Sequence, residues 1–237
     1  MSLIKKLAGE TAIYGVSSIL SRILNYLLLT PYLTRLLTPN EYGLHSLMYS
    51  FAAMLMILFT YGMETAFFRF GTKREKPKSD LTASNSDVID DFRNVDNSAA
   101  AFSTASISLL VSTILFVGFI TLFSSEIAGQ LTQVADQRYV IWFGFIIGFD
   151  ALAAIPFAKM RLENRPYRFA FLKIINILIN VLLIIFLLEI CPKFLEGKGI
   201  SWIDEFYDSQ LKLDYVFLSN LVASGFCLLY TSDAADE

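Results

Sequence analysis

The chain has 237 residues, 55% of them hydrophobic and only 17% charged, with a mean hydropathy of +0.54 and a formal net charge of −3. A soluble domain is about 45–50% apolar and about 25% charged, so this balance excludes an ordinary soluble domain and points to an all-α polytopic membrane protein. The small negative charge gives no footprint for nucleic acid. The two cysteines, Cys191 and Cys227, stand in no redox or metal spacing, so neither a disulfide nor a metal site is inferred.

The N-terminus carries Lys5 and Lys6, as a signal peptide would. The apolar run behind them is too long, contains Arg22 and lacks a small-residue cleavage site, so it reads as a retained first span. This segment, Leu7 to Leu37, is the most informative stretch. Arg22 lies about 15 residues from either end, or about 22 Å of helix, too deep to snorkel easily into a headgroup layer. A charge at that depth costs roughly 2.5 kcal/mol or more and faces a bundle interior or a watery cavity. Thr11, Gly15, Ser18, Arg22, Asn25 and Tyr32 recur at steps that form one helical stripe. Ile13, Val16, Leu20, Leu24 and Leu27 form the opposite, lipid-facing side. Arg stays protonated, so the polar face carries a permanent cation.

Six hydrophobic segments are predicted in all, at about 11–36, 43–70, 99–124, 138–160, 168–190 and 212–226. Thr38-Pro39-Asn40-Glu41 joins the first two as a tight turn with a capping-box pattern. Residues 71–98 are polar and read as a loop with a short surface helix around Val88–Phe92. In 191–211, Trp202, Phe206 and Tyr207 predict a helix lying at the interface. With the N-terminus inside, twelve lysines and arginines fall on inner segments and five on outer ones, which orients the chain N-in. The last stretch, Cys227 to Glu237 (CLLYTSDAADE), resembles translated sequencing adapter. It is expected to halt the sixth span and carry no function, leaving 1–226 as the transmembrane unit.

No nucleophile–base pair, metal cluster or phosphate-cradling glycine loop is visible, so no catalytic residue, cofactor or enzymatic activity is expected. His45 reads as an interfacial or packing histidine. Glu64 and Asp150 are the intramembrane carboxylates, able to neutralise Arg22, to bind a coupling cation (H+ or Na+) or to relay a proton. Lys173, Asn176 and Asn180 form a second polar stripe, which reads either as glue between helices or as contacts for a sugar or headgroup. Gly144 and Gly148 make a GxxxG pair for close helix packing, and Pro156 would kink the same helix. The cluster Lys159, Arg161, Arg165 and Arg168 sets topology and can meet anionic headgroups.

LAGETAIYGVSSILSRILNYLLLTPYLTRLLTPNEYG, YGMETAFFRF and IPFAKMRLENRPYRFAFLKIINI, in that order, resemble the polysaccharide-transporter, O-antigen-flippase-like proteins. These belong to the multidrug/oligosaccharidyl-lipid/polysaccharide exporter superfamily. The resemblance implies two six-helix lobes around a central cavity, of which this chain is similar to the N-terminal lobe with its sixth helix truncated. It also implies alternating access, by which a lipid-diphosphate-linked oligosaccharide crosses the bacterial inner membrane for lipopolysaccharide or exopolysaccharide synthesis. Polysaccharide polymerase and glycosyltransferases are the implied partners, besides membrane lipids. Ser21-Arg22 matches a cavity Ser-Arg motif of related flippases, and Arg22 is the implied phosphate contact. Asn25, Asn176 and Asn180 would then meet sugar hydroxyls. The rival readings are a cation-coupled multidrug exporter of the same superfamily, which needs an acidic cavity, and a membrane scaffold for glycan assembly.

Overall fold

The computed structural model describes residues 3–71, 86–131, 136–192 and 211–236; within these ranges the side chains at 3–13, 17, 21, 22, 25, 86–98 and 234–236 are not described. Every element in the described residues is a helix. They are α1 (Leu3–Leu36), α2 (Pro39–Thr60), α3 (Met63–Gly71), α4 (Ser86–Leu122), α5 (Ser124–Leu131), α6 (Gln137–Leu162), α7 (Pro166–Ile185, extended by a π-helical turn over Phe186–Ile190) and α8 (Lys212–Asp236). Five stretches are long and apolar enough to cross a bilayer: α2, Ala99–Leu122 of α4, α6, Pro166–Ile190 and Lys212–Asp233. This is the architecture of a multi-pass membrane protein.

The helix around which the others pack is α6. Of its most apolar stretch 61% is buried, against 17% to 22% for α2, α4 and α7. A helix apolar on all sides takes the centre of a bundle. On one side, Gly144 and Gly148 bring α6 against Ile120, Val117 and Thr113 of α4. On another, Tyr139 stacks on Phe217 of α8 with ring centroids 5.4 Å apart. Leu44, Met48, Phe143, Ile147, Leu213 and Phe217 belong to the main core that results.

The ends are closed by local chemistry. Thr38 and Glu41 form the expected capping box: the Thr38 N–H donates to Glu41 Oε2 at 2.8 Å, and the Glu41 N–H to Thr38 Oγ1 at 3.4 Å. The C-terminal carbonyl of Leu36 accepts from the Lys212 ammonium at 3.3 Å, so a cation from α8 meets the negative end of α1. Between α6 and α7, Asn164 takes φ +55° and the Arg165 N–H reaches back to the Met160 carbonyl at 3.0 Å. That is the left-handed close of a helix end, where Asn is the usual substitute for Gly.

The structure departs from the sequence reading in three places. The stretch 43–70 is not one helix: Tyr61 and Gly62 adopt φ +34° and +78°, ending α2 before α3 begins at Met63. The short helix expected around Val88–Phe92 is part of the long α4, which begins at Ser86; residues 72–85 of the predicted loop lie outside the described residues. The sixth segment does not stop at 226; α8 runs on to Asp236, with Cys227 and Thr231 buried. Cys227 packs with Phe157, Met160 and Leu172. The interfacial helix expected around Trp202–Tyr207 lies outside the described residues.

Candidate functional site

A cavity of about 530 Å³ opens among α1, α2, α7 and α8, at the end of the bundle that carries the Thr38–Glu41 turn. Small-molecule sites commonly occupy about 300–1,000 Å³. It reaches inward as far as Ser50, eleven residues into α2, or about 16 Å. That is about half the thickness of a hydrocarbon core of about 30 Å.

Each wall follows from helical spacing. α2 supplies Tyr42, His45, Ser46, Tyr49 and Ser50, a face repeating at three- and four-residue steps. α1 supplies Tyr26 and Thr30 beside Leu29 and Leu33. Asn180 and Ile184 come from α7, and Val216 and Asn220 from α8. None of these lining residues is an acid, a lysine or an arginine.

The aromatic wall is a continuous stack. The His45 ring lies 4.5 Å from that of Tyr49, 6.2 Å from Tyr42 and 6.1 Å from Phe217. Tyr49 also packs edge-on against Phe143 of α6 at 5.7 Å. Its hydroxyl accepts a hydrogen bond from the Asn220 amide, which locks α2 to α8 behind the cavity. Asn180 is different. Its carbonyl oxygen Oδ1 is buried and has no hydrogen-bond partner among the described residues. A polar atom left so costs free energy until something pairs with it.

Of the residues singled out from sequence, Asn180 lies on this cavity. Asn176, one turn earlier on α7, is half-buried and does not line it. The side chains of Arg22 and Asn25 lie outside the described residues, although the α1 backbone carries both, Arg22 one turn before Tyr26. Two predicted aspects of α1 are placed: Val16, Leu20 and Leu27 are exposed on the outside of the bundle, and Tyr32 turns inward to donate to Glu189 Oε2 at 3.4 Å. Tyr42, His45, Tyr49 and Asn220 were not predicted as a group. The polar and aromatic spacing of Tyr42, His45 and Tyr49 was visible in sequence; their meeting with Asn220 was not.

The two intramembrane carboxylates sit elsewhere. Glu64, in the first turn of α3, pairs with Arg161 of α6. The same guanidinium donates from Nε to the Phe157 carbonyl at 3.4 Å and lies over the rings of Phe68 (5.4 Å) and Phe169 (5.6 Å). Arg161 was read as a topology residue; here it is also the counter-ion of Glu64. Asp150 accepts a hydrogen bond from Ser224 of α8 and has Lys173 of α7 as its cationic neighbour. The Lys173 ammonium lies 4.3 Å from the Phe157 ring centroid. No group of three or more metal-ligating side chains occurs among the described residues.

Comparison with protein families, with curated proteins and with solved structures returned no match.

Proposed function

We propose that this chain moves a lipid-diphosphate-linked oligosaccharide across the bacterial inner membrane, for cell-surface or exopolysaccharide synthesis. In this reading the described helices are the first lobe of a two-lobed, alternating-access carrier with its N-terminus in the cytoplasm. The observation that carries the proposal is a cavity bearing hydroxyl, amide and imidazole side chains that reaches from one end of the bundle to about mid-bilayer depth in a predominantly apolar chain. A carrier of a lipid with a large hydrophilic head needs such a passage, because each uncompensated polar group in hydrocarbon costs several kcal/mol. The resemblance noted in Leu7–Gly43 and Ile155–Ile177 supports the same reading.

The cation-coupled exporter is less well supported. It calls for acidic side chains in the cavity, and none of the described lining residues is acidic. Glu64 is engaged by Arg161 beyond the far end of α2.

The test is transbilayer movement in proteoliposomes. A fluorescent lipid-linked oligosaccharide is incorporated, and its exposure to a membrane-impermeant oxidant is followed with time. The purified protein is expected to speed exposure over empty vesicles, and Asn180→Ala and Arg22→Ala to slow it. A folded protein that leaves the rate at the vesicle background would end the proposal.

A further inference from the structure

We infer that Asp150 is the proton-carrying group of this carrier: it takes up and releases a proton through water that enters from the cavity among α1, α2, α7 and α8, with Lys173 as its counter-ion. This rests on the proposed carrier role and supplies the coupling ion and the residue that binds it.

Asp150 stands 13 residues from one end of α6 and 12 from the other, about 18–20 Å of helix either way. It is exposed at that depth, yet the helices around it crowd the carboxylate closely enough to desolvate it. Both hold for a group at the bottom of a crevice and not for one on an outer surface. A carboxylate open to acyl chains in mid-bilayer is strongly disfavoured, and such groups face a bundle interior or a wet space. Its neighbours agree. Ser224 of α8, only 2% exposed, donates to it, and Lys173 of α7 supplies the opposite charge. The Cys227 thiol of α8 lies within electrostatic reach of both. From α4, the groups that meet α6 near this level, at Gly148, are Thr113 and Val117, neither of which is ionisable.

The carboxylate is connected to the cavity. Tyr49 of α2 lines the cavity and lies within electrostatic reach of Asp150. The Tyr49 hydroxyl accepts from Asn220, which lines the same cavity and precedes Ser224 by one turn of α8. On α7, Asn180 lines the cavity, and Asn176 and Lys173 continue its stripe inward. Phenol, amide and hydroxyl therefore lead in single-turn steps from the cavity to the carboxylate. Each can both donate and accept, as a file of water requires.

The ammonium beside Asp150 decides between a proton and a metal ion. A bound metal cation keeps its charge and is repelled by Lys173. A proton on the carboxylate makes a neutral acid and leaves Lys173 without that counter-ion. Lys173 Nζ lies 4.3 Å from the Phe157 ring centroid, which steadies the ammonium while Asp150 is neutral. Protonation thus switches the α6–α7 attraction off, and release to water switches it on again. Glu64, the other intramembrane carboxylate, is engaged by Arg161 instead.

The purified protein in phosphatidylcholine nanodiscs is followed by difference infrared spectroscopy from about pH 4 to about pH 9. A protonated-carboxyl band is expected that grows as pH falls, shifts in D2O because water reaches the group, and is absent from Asp150→Asn. Asp150→Glu should keep the band, and circular dichroism of each variant checks the fold. Lys173→Met should move the midpoint up by about one unit or more, the effect of removing a close opposite charge. Replacing sodium by choline should leave it unchanged. A band that survives Asp150→Asn, a band blind to D2O, or a midpoint that sodium lowers would each overturn the inference. So would a larger shift from Arg22→Ala than from Lys173→Met, which would make Arg22 the counter-ion. In proteoliposomes, an imposed pH gradient should change the rate of transbilayer movement about fivefold or more, the low end of coupling between linked sites, and Asp150→Asn should abolish that response. The expected titration without any movement would end the transport reading and leave Asp150 a proton-binding group. Movement indifferent to the gradient would end this inference and leave the transport reading standing.

Discussion

Replacing Gly148 by alanine tests whether the α4–α6 seam is as tight as its geometry states. A Cβ at that position would lie 3.0 Å from Val117 Cγ2 and 3.1 Å from Thr113 Cγ2. Carbon atoms are most favourably about 3.5–4.0 Å apart, so the new methyl is about half an ångström too close to two neighbours at once. Neither gives easily: Val and Thr are stiff about χ1, and Thr113 is only 5% exposed. Overpacking of this kind costs about 1–3 kcal/mol. Ala regains about 0.5–1 kcal/mol over Gly in a helix interior. The net expectation is a loss of about 0.5–2 kcal/mol, read from reversible detergent unfolding of the purified protein. Val117→Ala removes one of the two clashes. The double variant should therefore be more stable than the sum of the two singles allows, by about 1 kcal/mol. Gly148→Ala at or above wild-type stability, or a coupling of zero, would refute the close approach.

The same unfolding assay checks three further expectations. Thr113 Oγ1 is buried without a hydrogen-bond partner among the described residues, so Thr113→Val, which keeps the shape and removes the orphan, should stabilise by about 1 kcal/mol; a loss would mean that the hydroxyl is paired. Arg161→Ala should cost more than Glu64→Gln, about 2 kcal/mol against about 0.5–1, because the third-exposed ion pair is partly screened while the guanidinium also covers Phe68 and Phe169; the opposite order would count against that packing role. At the start of α6, the Arg138 backbone N–H, helped by its guanidinium, holds the Asp136 carboxyl below the ordinary carboxylate range. A depressed folded value means that the cap contributes fully above the unfolded pKa and is lost as pH falls through the lower, folded one. The stability gap between wild type and Asp136→Ala should thus be steady near neutral pH and shrink only in acid below the usual carboxylate titration, and a gap that shrinks between pH 7 and 5 would contradict it.

Runs of apolar residues made the crossing helices legible, because a bilayer demands about 20 of them in a row. The Thr38–Glu41 box and the Gly144–Gly148 pair were legible for a similar reason: each is a local pattern with one physical use. What was not legible depended on direction or partnership. The apolar run continues unbroken across Tyr61 and Gly62, so hydropathy hides the turn that their positive φ creates. The start of α4 at Ser86 is polar, and a search for apolar spans passes over it. The sixth segment was expected to stop at 226, and the helix continues to Asp236. The cavity was half visible. Asn180 stood out on a stripe of amides, whereas Tyr49 and Asn220 are 171 residues apart and become a pair only when α2 meets α8. Glu64 was recognised as an ion-pair candidate, but its partner had been assigned to topology, since a cation near a membrane face serves both roles equally well in sequence.

The placement of α6 connects the seam to the cavity. None of the described lining residues comes from α4, α5 or α6; all come from α1, α2, α7 and α8. The close approaches at Gly144 and Gly148 therefore lie on a side of α6 that does not line this cavity. Contacts of 3.0–3.1 Å to an added methyl leave no slack for sliding, so α4 and α6 behave as one body. At the cavity, a tyrosine–carboxylate hydrogen bond joins α1 to the π-helical turn after α7, and an amide–phenol bond joins α8 to α2. Such single bonds can be exchanged for bonds to a ligand at little net cost, which interdigitated methyl groups cannot do. A change in the shape of this cavity would therefore be taken up at the walls that those single bonds join rather than at the α4–α6 seam.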